Sequence, residues 1–122
     1  MIIGVGCDII EIDRIRTAID SRAFLERLFT LVEIDRGSRF HDPAPYFAGR
    51  FAAKEALSKA LGTGIGSKLS WHSMEILNND QGQPLVVWSE KIEEHYGITH
   101  THLSISHSKS TAIAYALIEA RG

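Results

Sequence analysis

Arg50-Phe51-Ala52-Ala53-Lys54-Glu55-Ala56-Leu57-Ser58 is the stretch on which the reading of this chain turns. It reads as part of a helix over residues 46–61, yet it sets an acid and a base among small apolar residues. A helix that only needed to pack would keep such charges in water. At about 100° per residue, Ala53, Leu57, Ala60 and Leu61 form one apolar stripe. Ala48, Phe51, Ala52, Glu55, Ser58 and Lys59 lie on the other side. Apolar residues on both sides predict burial on both: core on one, a ligand or second subunit on the other. The plainer alternative is a surface i,i+4 ion pair between Glu55 and Lys59, worth roughly 0.2–0.5 kcal/mol.

Downstream, Gly62-Thr63-Gly64-Ile65-Gly66 ends the helix, because glycine tolerates a left-handed turn. This loop fits neither common phosphate-binding glycine fingerprint, since Ser67 stands where a further glycine is needed. Upstream, His41-Asp42-Pro43-Ala44-Pro45 reads as a loop that prolines keep out of the helix. Residues 12–31 carry helical spacing with a break and new N-cap at Asp20-Ser21, and residues 33–39 suggest a further helix. Residues 2–9 form a β-branched run broken by Gly4 and Gly6, a buried strand that brings Asp8 out near its end. Asp8 is open to two readings, a helix N-cap or a metal ligand.

The second half is mostly strand. Residues 73–77 and 85–88 form a hairpin, residues 90–96 a short helix closed by Gly97, and residues 102–106 and 112–118 a second strand pair. In the first of these, alternation puts His102, Ser104 and Ser106 on one face, with His107 at the turn. His107 is either a turn residue or a phosphate contact or proton carrier. Helices early and strands late predict an α+β fold with helices packed on an antiparallel sheet.

The totals set bounds. The chain has 122 residues, read as a single domain over 1–122, with 44% hydrophobic and 23% charged residues. A net charge of −2 argues against nucleic acid as a partner, and no segment nears a membrane span. The lone Cys7 in apolar surroundings reads as a buried, inert thiol. With no signal-peptide pattern at the start, it predicts a cytoplasmic protein. Arg14, Arg16, Arg22 and Arg27 give the first helical region a basic bias that either is solvated or meets an acidic partner.

Three segments together resemble a known family. They are Gly4-Val5-Gly6-Cys7-Asp8-Ile9, the helix from Gly49 to Ala60 with its glycine tail, and His102-Leu103-Ser104-Ile105-Ser106-His107. Their order and spacing resemble the holo-acyl-carrier-protein synthases, the small 4′-phosphopantetheinyl transferases. The resemblance implies transfer of 4′-phosphopantetheine from coenzyme A to a serine of apo acyl carrier protein, releasing 3′,5′-ADP, in fatty acid biosynthesis. It implies Asp8 and Glu55 as Mg²⁺ ligands in the catalytic site, and Lys59 and His107 at the coenzyme A phosphates. It places Arg50 and Phe51 near the nucleotide, with Gly62 and Gly64 in the binding loop. It further implies a homotrimer with sites between subunits, and the Arg14 region facing the carrier. A carboxylate or a water on the metal would take the serine proton. Two departures stand out: Gln83 where the family commonly has lysine, and a short Phe40–Pro45 loop. A coenzyme A sensor without turnover and a purely structural trimer are the competing classes.

Overall fold

The computed structural model describes residues 1–122 as an α+β fold. In chain order it contains β1 (Ile2–Glu11), α1 (Ile12–Ala18), α2 (Arg22–Leu28), α3 (Leu31–Ser38) and α4 (Ala44–Ala60). A 3-10 turn at Trp71–Ser73 leads into β2 (Met74–Asn78), β3 (Pro84–Trp88), α5 (Glu90–Tyr96), β4 (Ile98–His107) and β5 (Thr111–Ala120). The antiparallel sheet has the order β1-β5-β4, and β2 and β3 form a separate antiparallel hairpin. Trp88 joins the two by donating its indole N–H to Thr101 Oγ1 at 2.8 Å.

Local chemistry sets most boundaries. Ser21 caps α2 by accepting from Phe24 N, as the break at Asp20-Ser21 predicts. Thr30 and Glu33 form a reciprocal capping box that starts α3 two residues earlier than the spacing suggests. The prolines of residues 41–45 do not keep that segment out of α4. Pro43 occupies the N-cap and Pro45 the first turn, where an N–H has no intrahelical partner to lose. Asp8 lies within β1 rather than at its end, and α1 starts after Glu11. The N-cap reading of Asp8 therefore falls.

α4 crosses the inner face of the sheet, against β1 and β5. Ala112, Ala114, Ala116 and Ala120 of β5 face inward, all at most 3% exposed. Ala114 and Ala116, with Ile118, pack with Ala52, Ala53, Ala56 and Ala60 of α4, all at most 4% exposed, and Ala112 packs with Phe47 and Ala48. Gly4 and Gly6 let the strand pass against the helix backbone: a Cβ at Gly6 would lie 1.9 Å from the Ala56 carbonyl oxygen. On the far side of α4, Phe47 and Ala48 pack with Ile12, Ile15, Leu28, Phe29 and Ile34 from the early helices. Its own chain therefore packs two sides of α4, while Glu55 is half-buried and Lys59 exposed toward its C-terminal end.

With mostly alanine inward on β5, several of its bulky residues face out. Ile113 and Tyr115, with Ile3, Val5 and Ile9 of β1, are 40–64% exposed. Cys7 lies on this outer face and is exposed, which corrects the expectation of a buried thiol. The neighbouring glycines make β1 look like a core strand, but its odd-numbered side chains point away from α4.

Candidate active site

Two clusters form on different sides of α4. In the first, Gly4 and Gly6 bring β1 onto the C-terminal half of the helix. Lys59 Nζ then donates to Asp8 Oδ1 at 3.0 Å and to the Cys7 carbonyl at 3.1 Å. Glu55, one turn earlier, shares this corner. Its carboxyl is pushed above the ordinary range by partial burial and then by the negative charge of Asp8. Lys59 is raised, chiefly by its hydrogen bond to Asp8. The alternative Glu55–Lys59 ion pair does not form. Lys59 reaches across to the neighbouring strand, where a carboxylate on the facing element is within direct reach.

Two carboxylates, only one of them ion-paired, leave hard oxygen donors facing one corner. That donor set suits Mg²⁺, which takes one or two carboxylates and completes its shell with water and substrate phosphate. No third His, Cys, Asp or Glu joins them, so the pair does not make an all-protein metal cage.

Lys54, which precedes Glu55, faces the other way. It is wholly buried and donates to Glu33 Oε1 at 2.8 Å, Leu28 O at 2.8 Å and Trp71 O at 3.0 Å. Glu33 in turn accepts from Thr30 N and Ile76 N. Burial pushes the Lys54 ammonium down in pKa, opposed by the charge of Glu33. The pair locks α4 to α2, α3 and β2, so the base buried on this helix has a structural partner.

The second cluster surrounds a cavity of about 360 Å³, lined by Phe40, Asp42, Tyr46, Arg50, Ile105 and His107 among others. Arg50 is 7% exposed. One of its Nη groups donates to Asn78 Oδ1, its guanidinium lies 4.5 Å from the centre of the Tyr46 ring, and no carboxylate pairs with it. Arg50 Nε and the Tyr46 hydroxyl have no partner. Burial lowers the Arg50 pKa, opposed by Tyr46 and by the charge of Glu33. A buried cation held only by neutral groups is a strong attractor for an anion. His107 ends β4 at the cavity, with Nδ1 3.1 Å from Ser108 O.

The sequence-predicted residues thus divide. Asp8, Glu55 and Lys59 come together, as do Arg50 and His107. Arg50 and Glu55 are five residues apart, about 140° around the helix. Phe51 stacks on Trp71 at 5.3 Å and does not line the cavity. Gly62 and Gly64 have positive φ, and their amides close the helix by donating to Lys59 O and Ser58 O. Of the early arginines, Arg16 is paired with Asp13 and Asp42, and Arg22 with Glu26. Arg14 and Arg27 make no salt bridge. Sequence reasoning missed Tyr46 and Asn78. Tyr46 was within reach, four residues before Arg50 on the same helical face.

Residues 4–116 match the family model of the 4′-phosphopantetheinyl transferase superfamily. The chain is 49% identical over 123 residues to the holo-acyl-carrier-protein synthase of Clostridium acetobutylicum, covering 98% of each. It is 45% identical over 117 residues to that of Chlorobaculum parvum, covering 94% of this chain and 97% of the other. Among solved structures, the Bacillus anthracis synthase in complex with coenzyme A (3′,5′-ADP) superimposes with a TM-score of 0.86 at 41% identity, covering 99% of each chain. The Helicobacter pylori synthase in complex with coenzyme A gives 0.88 at 34%, covering 94% of this chain and 99% of the other. With a two-carboxylate corner, an unpaired buried arginine and this full-length similarity, the chain belongs to the holo-acyl-carrier-protein synthase family of the 4′-phosphopantetheinyl transferase superfamily.

Proposed function

We propose that residues 1–122 act as one domain that transfers 4′-phosphopantetheine from coenzyme A to a serine of apo acyl carrier protein, serving fatty acid biosynthesis in the cytoplasm. The observation that carries this reading is Arg50, a buried cation whose side-chain partners are all neutral, on a cavity it shares with His107. The relatives' complexes with coenzyme A make a nucleotide phosphate the natural anion for it.

In the reaction the serine hydroxyl gives its proton to a carboxylate of the corner or to water, and its oxygen forms a bond to the phosphorus bearing pantetheine. The bond from that phosphorus to the bridging oxygen breaks, and 3′,5′-ADP leaves with the electron pair. Asp8 and Glu55 would hold Mg²⁺, which supplies neutralisation of the charge that builds on the pyrophosphate. Lys59 is poised at the same corner and adds positive charge toward the leaving group. Arg50 and His107 would bind and orient the nucleotide end. Phe51, packed on Trp71, supports the helix beneath them. The loop at Gly62 and Gly64 would border the phosphates through its shape, since those two amides are engaged in closing the helix. The acid pair and lysine at the corner suit direct transfer to the carrier.

The two clusters lie on different sides of α4, so one ligand reaching both would join Asp8 and Glu55 of one subunit to Arg50 and His107 of the next. The outer face of β1 and β5 offers an apolar surface for such an assembly. The family resemblance suggests a homotrimer. Arg14, exposed beside Ile9 and Glu11, would face the acidic carrier, with Arg16 and Arg22 already neutralised by their own carboxylates. Incubation with coenzyme A, Mg²⁺ and a panel of apo carriers, read by intact mass, tests the proposal. Addition of phosphopantetheine to at least one carrier is expected. Coenzyme A binding with no addition to any would leave only a sensor.

A further inference from the structure

We propose that Asn78 is a positioning residue for ligand binding, one that holds Arg50 in place without neutralising it. The inference rests on reading the Arg50 cavity as the coenzyme A site. Asn78 ends β2, and its carboxamide bridges two elements. Oδ1 accepts from Arg50, and Nδ2 donates to Gly82 O of the hairpin turn at 2.9 Å. Asn79 closes the same turn, accepting from the backbone N–H of Gln81 at 3.0 Å and of Gln83 at 2.9 Å. Asn78 Oδ1 accepts from Arg50, and the ring face of Tyr46 lies against the guanidinium.

The choice of asparagine has a physical consequence. A carboxylate at this position would make a charge-assisted bond to the guanidinium and fix it more firmly. It would also cancel the charge that an entering phosphate must meet. A neutral acceptor orients the fork and leaves its charge available. The remaining unmet donor, Nε, and the Tyr46 hydroxyl are the groups that a ligand in the cavity would find unpaired.

Asn78→Ala and Asn78→Asp separate orientation from charge, because both lose the donation to Gly82 O. Coenzyme A binding is measured by titration calorimetry with Mg²⁺ present, alongside thermal midpoints. Asn78→Ala should bind about fivefold more weakly than the parent, the equivalent of one neutral hydrogen bond. Asn78→Asp should melt at or above Asn78→Ala, yet bind about tenfold more weakly still. Equal or tighter binding by Asn78→Asp than by Asn78→Ala would overturn the proposal. Should the aspartate variant fail to fold, Asn78→Ala binding as well as the parent would overturn it alone. Arg50→Ala distinguishes the underlying reading: unchanged coenzyme A binding there removes the cavity from the site, and the proposal with it. Weakened binding in Arg50→Ala together with the wrong order of the Asn78 variants removes only the role of Asn78.

Discussion

Replacing Gly6 by alanine should separate Asp8, on the strand, from Glu55 and Lys59, on the helix. A Cβ at Gly6 would lie 1.9 Å from the Ala56 carbonyl oxygen and 2.8 Å from the Ala60 nitrogen. Ordinary contact begins near 3.4 Å, so strand and helix must part by about 1.5 Å. Both clashing atoms are helix backbone, and rotating a side chain cannot relieve them. Overpacking of this kind costs about 1–3 kcal/mol, and rigid backbone puts Gly6 at the upper end. For a chain of this length that corresponds to a fall of about 10 °C in thermal midpoint. The functional effect should be larger. Asp8 is two residues from Gly6, and Glu55 and Lys59 flank the very turn that is pushed away. A displacement above about 1 Å at a reacting centre costs on the order of a hundredfold in turnover. Circular dichroism melting and the carrier-mass assay, run on one preparation at a temperature where the variant is folded, measure both. Gly6→Ala with the parent's midpoint and turnover would refute the argument that the glycine sets the spacing of strand and helix.

Lys54→Met should destabilise by about 3–5 kcal/mol in denaturant unfolding, because Glu33 is left as an unpaired charge at 1% exposure. Adding Glu33→Leu should recover only part, since Thr30 N and Ile76 N then lose their acceptor. Glu55→Gln should abolish turnover while leaving the metal-free protein at least as stable at neutral pH. A carboxyl raised in the folded state penalises the fold when ionised; the penalty holds above the folded pKa and disappears as pH falls below the ordinary value. Loss of thermal stability in Glu55→Gln at pH 7 would contradict this sign. Ile9→Glu or Tyr115→Asp, on the exposed outer face, should yield a folded but dissociated and inactive protein by light scattering and turnover. Arg14→Glu should raise KM for the carrier about tenfold and leave KM for coenzyme A unchanged.

How far the site was legible follows from where its signals lie. β1, α4 and the β4–β5 pair carried period-2 or helical patterns strong enough to read, and the Ser21 break was written in local capping chemistry. Asp8, Glu55 and Lys59 stood out as charges among small residues. Their actual pairing did not, because Lys59 reaches across the chain to Asp8 rather than along its helix to Glu55. The exposure of Cys7 was hidden for a related reason: β5 is mostly alanine on its inner face, so much of its apolar bulk points outward and an apolar neighbourhood no longer means a buried one. Asn78 lay beyond reach, since its partner is 28 residues away and only the hairpin's docking brings them together. The helix onset was misplaced because two prolines stop a helix interior but fit its first turn.

The role of Asp8 and Glu55 in transfer is tested by the mass of an apo carrier protein after incubation with coenzyme A, Mg²⁺ and either the parent or Asp8→Asn with Glu55→Gln. A phosphopantetheine addition, with equimolar 3′,5′-ADP, is expected for the parent, and none for the folded double variant. Equal addition by both would contradict that role, by removing the two carboxylates from the chemistry.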